Sequence, residues 1–242
     1  MIKGIDFVSL QVADMARAQA FYQEKLGLPP VATAGEGWAE FDLGPGPALT
    51  LLDPTAFGQA FEEERGSGSF GLAVHDIETV SAEMEAEDRL HMDMFETDGC
   101  HGAPMSDSEG NGLMLHRRKA EPGRNRVIDF VCLPVADTAR ARAFYKEMFG
   151  IEPTPESGEI WTEYVFADDS ALALFNGSKV GIAFSPSTGN APGLATPELE
   201  ALMAKFKAKG LTRADTPIET PVCFMGLVSD SEGNALVLHR HK

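Results

Sequence analysis

The sequence predicts an α+β fold built from four βαβββ units, and three observations carry the prediction. First, the chain writes one segment twice: IDFVSLQVADMARAQAFYQEKLGL from Ile5 and IDFVCLPVADTARARAFYKEMFGI from Ile128. Phe7 and Phe130 stand 123 positions apart, as do Phe21 and Phe144, Trp38 and Trp161, Glu40 and Glu163, Cys100 and Cys223, and Asn111 and Asn234. Second, each copy opens with apolar residues at a spacing of two and continues at helical spacing. Third, the same succession recurs inside each copy, after Ser69 in the first.

The elements follow in order. Along Asp6 to Val12, Val8, Leu10 and Val12 share one face and Phe7, Ser9 and Gln11 the other, the period of a half-buried strand. Asp14 is placed to cap a helix whose apolar positions are Met15, Ala18, Phe21 and Tyr22, and Gly27 stands where a left-handed C-terminal cap belongs. Strands are expected near 30–34, 37–43 and 47–53. Then SFGLAV, from Ser69, opens the second unit as a strand, and Asp76 to Ala86 forms a helix with Ile77, Val80 and Met84 inward. MFET, APMSD and GLMLHR complete it as strands, the last two joined by a tight turn at Gly110 and Asn111. These boundaries predict a module over 1–118, a linker over 119–126 within the polar stretch RKAEPGRNR, and a second module over 127–242.

A length of 242 residues suits two domains of ordinary size. No apolar run reaches the roughly 18 residues that a membrane helix needs, and the start MIKGIDFVSL lacks the layout of a secretory signal. Three cysteines, an odd number without CxxC spacing, argue against a disulfide framework or a thiolate zinc site. A cytoplasmic setting is the expectation, with neither nucleic acid nor membrane as partner. The net charge of −17 repels both and favours a cationic ligand, although solubility alone also accounts for it.

The start motif IDFVSLQVADMARAQAFY and the end motifs SDSEGNGLMLH and SDSEGNALVLH resemble the vicinal oxygen chelate superfamily of glyoxalase I, extradiol dioxygenases, fosfomycin resistance enzymes and bleomycin-binding proteins. The resemblance covers nearly the whole chain. It implies two tandem glyoxalase-like modules whose mixed sheets curl around a cleft, a fold that does not by itself name a chemistry. Metal-dependent members hold a divalent ion through His, Gln or Glu at four strand positions. The resemblance puts these at Phe7 and Phe130, Thr50 and Ala173, Ser69 and Ala191, and Met114 and Val237. None is a carboxylate, imidazole or amide, so no metal is expected there. Within Asn176 to Thr196 a second alignment makes GIAF the fifth strand and puts Val180 or Gly181 in the ligand place, where neither could coordinate.

The same positions imply which face of each strand looks into the cleft. The resulting ligand-binding candidates are Phe7, Gln11, Trp38, Glu40, Met114, His116, Phe130, Trp161, Glu163 and His239. Each has a duller reading: the tryptophans as core, the glutamates as a solvated rim, and His116 and His239, beside RRK and RHK, at the surface. Cys100 and Cys223 are expected to bury as small apolar groups. Four functions stand open. The residues favour metal-independent binding of a small aromatic or cationic organic molecule, similar to bleomycin-resistance-type binders, with no cofactor. The alternative is a glyoxalase- or extradiol-dioxygenase-like metalloenzyme with non-standard ligands, such as Glu40 or Glu163 with His116 or His239; only here does a divalent metal enter. Metal-free acid–base chemistry by Glu40 or Glu163, and a module without ligand, complete the set. The expected assembly is a monomer with its modules paired within the chain, or a homodimer.

Overall fold

A computed structural model describes every residue except Met1 and Arg65. The first βαβββ unit runs β1 (Gly4–Gln11), α1 (Met15–Ala20), β2 (Thr33–Gly35), β3 (Trp38–Phe41) and β4 (Ala48–Leu52), and the second β5 (Ser69–Ala73), α2 (Ile77–Ala86), β6 (Phe95–Glu96), β7 (Cys100–Ser106) and β8 (Gly112–Arg118). The third has β9 (Ile128–Pro134), α3 (Thr138–Phe149), β10 (Trp161–Val165) and β11 (Ala171–Phe175). The fourth has β12 (Asn190–Ala195), α4 (Leu199–Ala208), β13 (Ile218–Glu219), β14 (Cys223–Ser229) and β15 (Ala235–His241). The third unit thus has one strand fewer than expected, because the counterpart of β2 is irregular. No described helix is long and apolar enough to cross a membrane.

Local chemistry explains the helix ends. The Asp14 side chain accepts from the Arg17 amide at 3.0 Å, and Asp137 accepts from the Arg140 amide at 2.9 Å, each satisfying a backbone donor that the first helical turn leaves over. Gly150 closes α3 in the left-handed region at φ 68°. In the first copy α1 gives way after Ala20 to a π-helical turn over Phe21–Lys25, with Gly27 at φ 64° beyond it.

Strands β1 to β15 form one eight-stranded and one seven-stranded mixed sheet, and the chain divides into two compact units. The first comprises the residues up to Val8, Glu64–Gly68 and Cys132–Lys242; the second comprises Ser9–Glu63 and Ser69–Val131. In the first unit the hydrogen-bonded orders are β13-β14-β15-β12-β1 and β9-β11-β10, and in the second β9-β5-β8-β7-β6 and β1-β4-β3-β2. β12 lies parallel to β15 with Gly193 opposite Val237, and β5 parallel to β8 with Gly71 opposite Met114. That shared register makes Gly193 the counterpart of Gly71. The competing alignment fails, because GIAF lies outside every strand, after a 3₁₀ turn at Gly177–Val180.

The SDSEGN motif is a structural lock rather than a binding loop. Asp107 accepts from the amides of Glu109 and Asn111, each at 2.8 Å, from Asn111 Nδ2 at 2.9 Å and from the Tyr22 hydroxyl at 2.9 Å. Glu109 accepts from the amides of Ala13 and Asp14 and from Arg17 Nε, so one hairpin pins the entry of α1 against β8. Burial pushes the Glu109 carboxyl up, but Arg17 and the two amides outweigh it and hold it below the usual range. Asp230, Glu232 and Asn234 repeat the device on Tyr145, Ala136, Asp137 and Arg140.

Candidate binding site

In the second unit, β5, β7, β8 and the start of β9 bring one set of side chains together. Phe130 lies over Gly71, where a Cβ would come within 2.3 Å of the ring, so only glycine admits the phenyl group. The ring meets His116 edge-on at 5.1 Å. Met114 stands two residues before His116 on β8, so alternation puts both on one face. His116 Nδ1 lies 2.7 Å from Asp129 Oδ2; Asp129 is 1% exposed and also meets Arg124 Nε at 2.9 Å. Gly102 pairs with His116 and Cys100 with Arg118, which puts Cys100 on the same face. The Cys100 sulfur lies 3.3 Å from Thr97 Oγ1. The neighbouring His116 imidazole holds the Cys100 thiol below its ordinary pKa against the opposing effect of burial. Burial likewise works to lower His116, but Asp129 and Cys100 overcome it and raise the imidazole.

A raised histidine stabilises the fold fully below its unfolded pKa, about 6.5, and ceases to do so as pH rises through the folded value. The melting-temperature gap between the wild type and His116→Gln is therefore expected to narrow between pH 6 and pH 9. Parallel melting curves at the two pH values check this, and a gap that widens with pH contradicts it.

The first unit repeats the arrangement with one change. Phe7 lies over Gly193 and meets His239 edge-on at 5.2 Å, and His239 Nδ1 is 2.5 Å from Asp6 Oδ2. Cys223 is buried with Thr220 Oγ1 at 3.1 Å from its sulfur. Here the residue two beyond the histidine is His241, whose Nε2 lies 3.7 Å from Asp6 Oδ2. Ligand atoms of Asp6, His239 and His241 all fall within 4.8 Å of one another. Two imidazoles and a carboxylate are a donor set suited to a divalent transition metal. At the matching position of the second unit stands Arg118, its Nε 3.8 Å from Asp129 Oδ1, a guanidinium that cannot ligate.

The other candidates lie on the remaining sheet segments. In the second unit Trp38, Glu40, Thr50 and Leu52 are half-buried on the face opposite buried Ala39, Phe41, Leu49 and Leu51, and Thr50 Oγ1 donates to Glu40 Oε2 at 3.5 Å. Gln11 Oε1 is engaged by the Glu62 amide at 3.1 Å. In the first unit Trp161 and Glu163 are half-buried, with Trp161 6.3 Å from Phe175 and Glu163 opposite Ala173.

Three expectations need correction. His116 and His239 are not at the surface: each is 5% exposed, because an aspartate on an opening strand, Asp129 for His116 and Asp6 for His239, compensates the buried ring. Cys100 is only half-buried and has the Thr97 hydroxyl 3.3 Å from its sulfur, so it is not a merely apolar filler. Asp6 and Asp129 were missing from the candidates altogether. The signal was available, since Asp6 and Asp129, Thr97 and Thr220, and His116 and His239 all repeat at the 123-residue offset.

The positions where metal-dependent relatives carry ligands do not fit an ion. Phe7 and Phe130 fill two of them with rings seated on glycine, and Met114 and Val237 occupy two more.

Paired βαβββ units with a parallel strand pair and mixed sheets define the vicinal oxygen chelate class of fold. Residues 4–115 match the model of the Glyoxalase/Bleomycin resistance protein/Dioxygenase superfamily, and residues 128–154 match that of the Bleomycin resistance protein-like N-terminal family. The first of these matches places residues 4–115 in the glyoxalase, bleomycin resistance protein and dioxygenase superfamily. Glyoxalase I from Zea mays superposes with a TM-score of 0.66 at 19% identity, covering 98% of this chain and 92% of its own. A mutant of the same enzyme gives 0.68 at 17% identity, covering 98% and 94%. An antibiotic binding protein from Streptomyces sp. CB03234 is 23% identical over 50% of this chain and 98% of its own, with a TM-score of 0.39. None of the curated proteins matches the sequence.

Proposed function

We propose that the protein binds a small aromatic or cationic organic molecule without a metal ion at the family's ligand positions, in the manner of bleomycin-resistance-type binders. The observation that carries this reading is the seating of Phe7 on Gly193 and Phe130 on Gly71, which puts an aromatic edge where an ion-holding relative needs a donor. Half-buried Trp38 and Trp161 offer indole faces worth roughly 0.5–2 kcal/mol each to a cation, and Glu40 and Glu163, beside them on the same strands, offer the opposite charge. The test is a thermal-shift screen of EDTA-dialysed protein against flat aromatic cations and peptide antibiotics, alongside the methylglyoxal–glutathione adduct and catechols with added metals. Stabilisation by the first group supports the binder; stabilisation only by the second, with metal, overturns it.

Asp6, His239 and His241 favour one second reading, a glyoxalase- or dioxygenase-like metalloenzyme with unusual ligands. Under the binding reading, protein purified without chelator carries well below one tightly held divalent ion per chain by elemental analysis. One ion per chain, lost on His241→Ala, would establish the second reading instead.

A further inference from the structure

We propose that Asp6, His239 and His241 form an exchangeable site for one divalent transition-metal ion, which clasps the opening strand β1 to the last strand β15. This goes beyond the binding of an organic molecule and asks no chemistry of the ion. The geometry lies inside the first unit. His239 and His241 stand two residues apart on β15, so strand alternation turns both imidazoles to one face, where the rings meet edge-on at 4.6 Å. Asp6 lies on β1, with β12 between it and β15. Its Oδ2 is 2.5 Å from His239 Nδ1 and 3.7 Å from His241 Nε2, and one ligand atom from each residue falls within 4.8 Å of the others.

Donors held tetrahedrally by one zinc ion sit roughly 3.3 Å apart. The Asp6–His239 contact must therefore open a little and the Asp6–His241 contact close a little, with the ion taking the place of the proton shared by the first pair. Phe7, seated on Gly193, holds the His239 ring edge-on at 5.2 Å, so the adjustment falls on His241, whose side chain is 72% exposed. Two imidazoles and one carboxylate suit zinc, nickel or copper, whereas magnesium and calcium ask for oxygen donors. Three protein donors leave positions for water, and with His241 mostly exposed the ion exchanges with solvent instead of being retained through purification.

The second unit supplies the comparison. Arg118 stands 123 positions before His241, and Asp129 there meets Arg124 Nε at 2.9 Å and Arg118 Nε at 3.8 Å. Fixed guanidinium groups compensate that carboxylate. Asp6 meets imidazoles, which carry lone pairs for a metal when neutral, so the same His–Asp pair is closed by permanent cations in one unit and offered to an exchangeable cation in the other.

The experiment titrates zinc, nickel and magnesium chlorides separately into full-length protein freed of metal with EDTA and then dialysed clear of the chelator, with calorimetry and melting temperature as readouts. Zinc and nickel are expected to bind at one ion per chain and to raise the melting temperature as their concentration rises, while magnesium does neither. His241→Arg copies the second unit at a mostly exposed position. It should weaken zinc at least about 10- to 100-fold, the loss that even an outer partner of a metal ligand causes, and Asp6→Asn should do the same. His75→Gln, at an exposed histidine 3.8 Å from Asp76, is expected to leave zinc affinity unchanged and controls for adventitious binding. Absence of saturable zinc binding, unchanged zinc affinity in folded His241→Arg, an equal loss in His75→Gln, or zinc that EDTA does not remove overturns the proposal. If Asp6→Asn does not fold, His241→Arg still decides. The aromatic-cation screen uses metal-free protein and this titration contains no organic compound, so the two readings fail separately.

Discussion

Replacing Asp230 by Ala is expected to lower stability by about 3–5 kcal/mol, at the upper end of what one substitution does to a folded protein. Asp230 is 1% exposed and accepts from the amides of Glu232 and Asn234 at 2.8 and 2.9 Å, from Asn234 Nδ2 at 2.9 Å and from the Tyr145 hydroxyl at 3.1 Å. Alanine removes the acceptor and leaves these donors in a region that water does not reach, each at a desolvation cost of about 1–3 kcal/mol. Tyr145 is fully buried, so its hydroxyl has nowhere else to turn. Asn234 also donates to the Pro134 carbonyl at 2.8 Å, and Glu232 holds the start of α3, so the loss spreads from the turn to the helix entry. Urea denaturation of wild type and variant measures the difference. A change under about 1 kcal/mol would mean that the turn is held by its backbone alone.

The second large effect concerns binding. Trp38→Ala and Trp161→Ala are each expected to weaken a bound aromatic cation about 10- to 100-fold, equivalent to ~1–3 kcal/mol. Both indoles are half-buried on strand faces opposite fully buried residues, and Trp161 has Phe175 as a neighbour. They are therefore supported by the sheet while still offering surface to a ligand. Calorimetric titration with the strongest compound from the screen measures the loss, and melting curves of the same variants separate it from destabilisation. Unchanged affinity in both variants would return the tryptophans to a packing role.

The fold was legible because its signals are local. Alternation at Val8, Leu10 and Val12, the capping aspartates Asp14 and Asp137, and the repeated offset each depend on residues close in sequence or on a plain subtraction. The site was only partly legible. Phe7, Met114, His116, Phe130 and His239 could be placed on one strand face or another by alternation, and the structure brings Phe130 to His116 and Phe7 to His239. What alternation could not supply was the partner of each histidine. Asp6 and His239 are 233 residues apart, and their meeting depends on the opening strand joining the unit built from the far half of the chain. Without that pairing, a histidine beside RRK or RHK reads as a surface group. The same gap hid the strand face that Cys100 and His116 share, which follows from the β7–β8 register that places Gly102 opposite His116.

The most direct measurement is a titration of flat aromatic cations into EDTA-dialysed protein, followed by tryptophan emission and repeated after restoring zinc or manganese. Saturable binding with the same Kd in both conditions is the predicted result. Binding that appears only once metal is returned, or no binding by any cation of the panel, would contradict it.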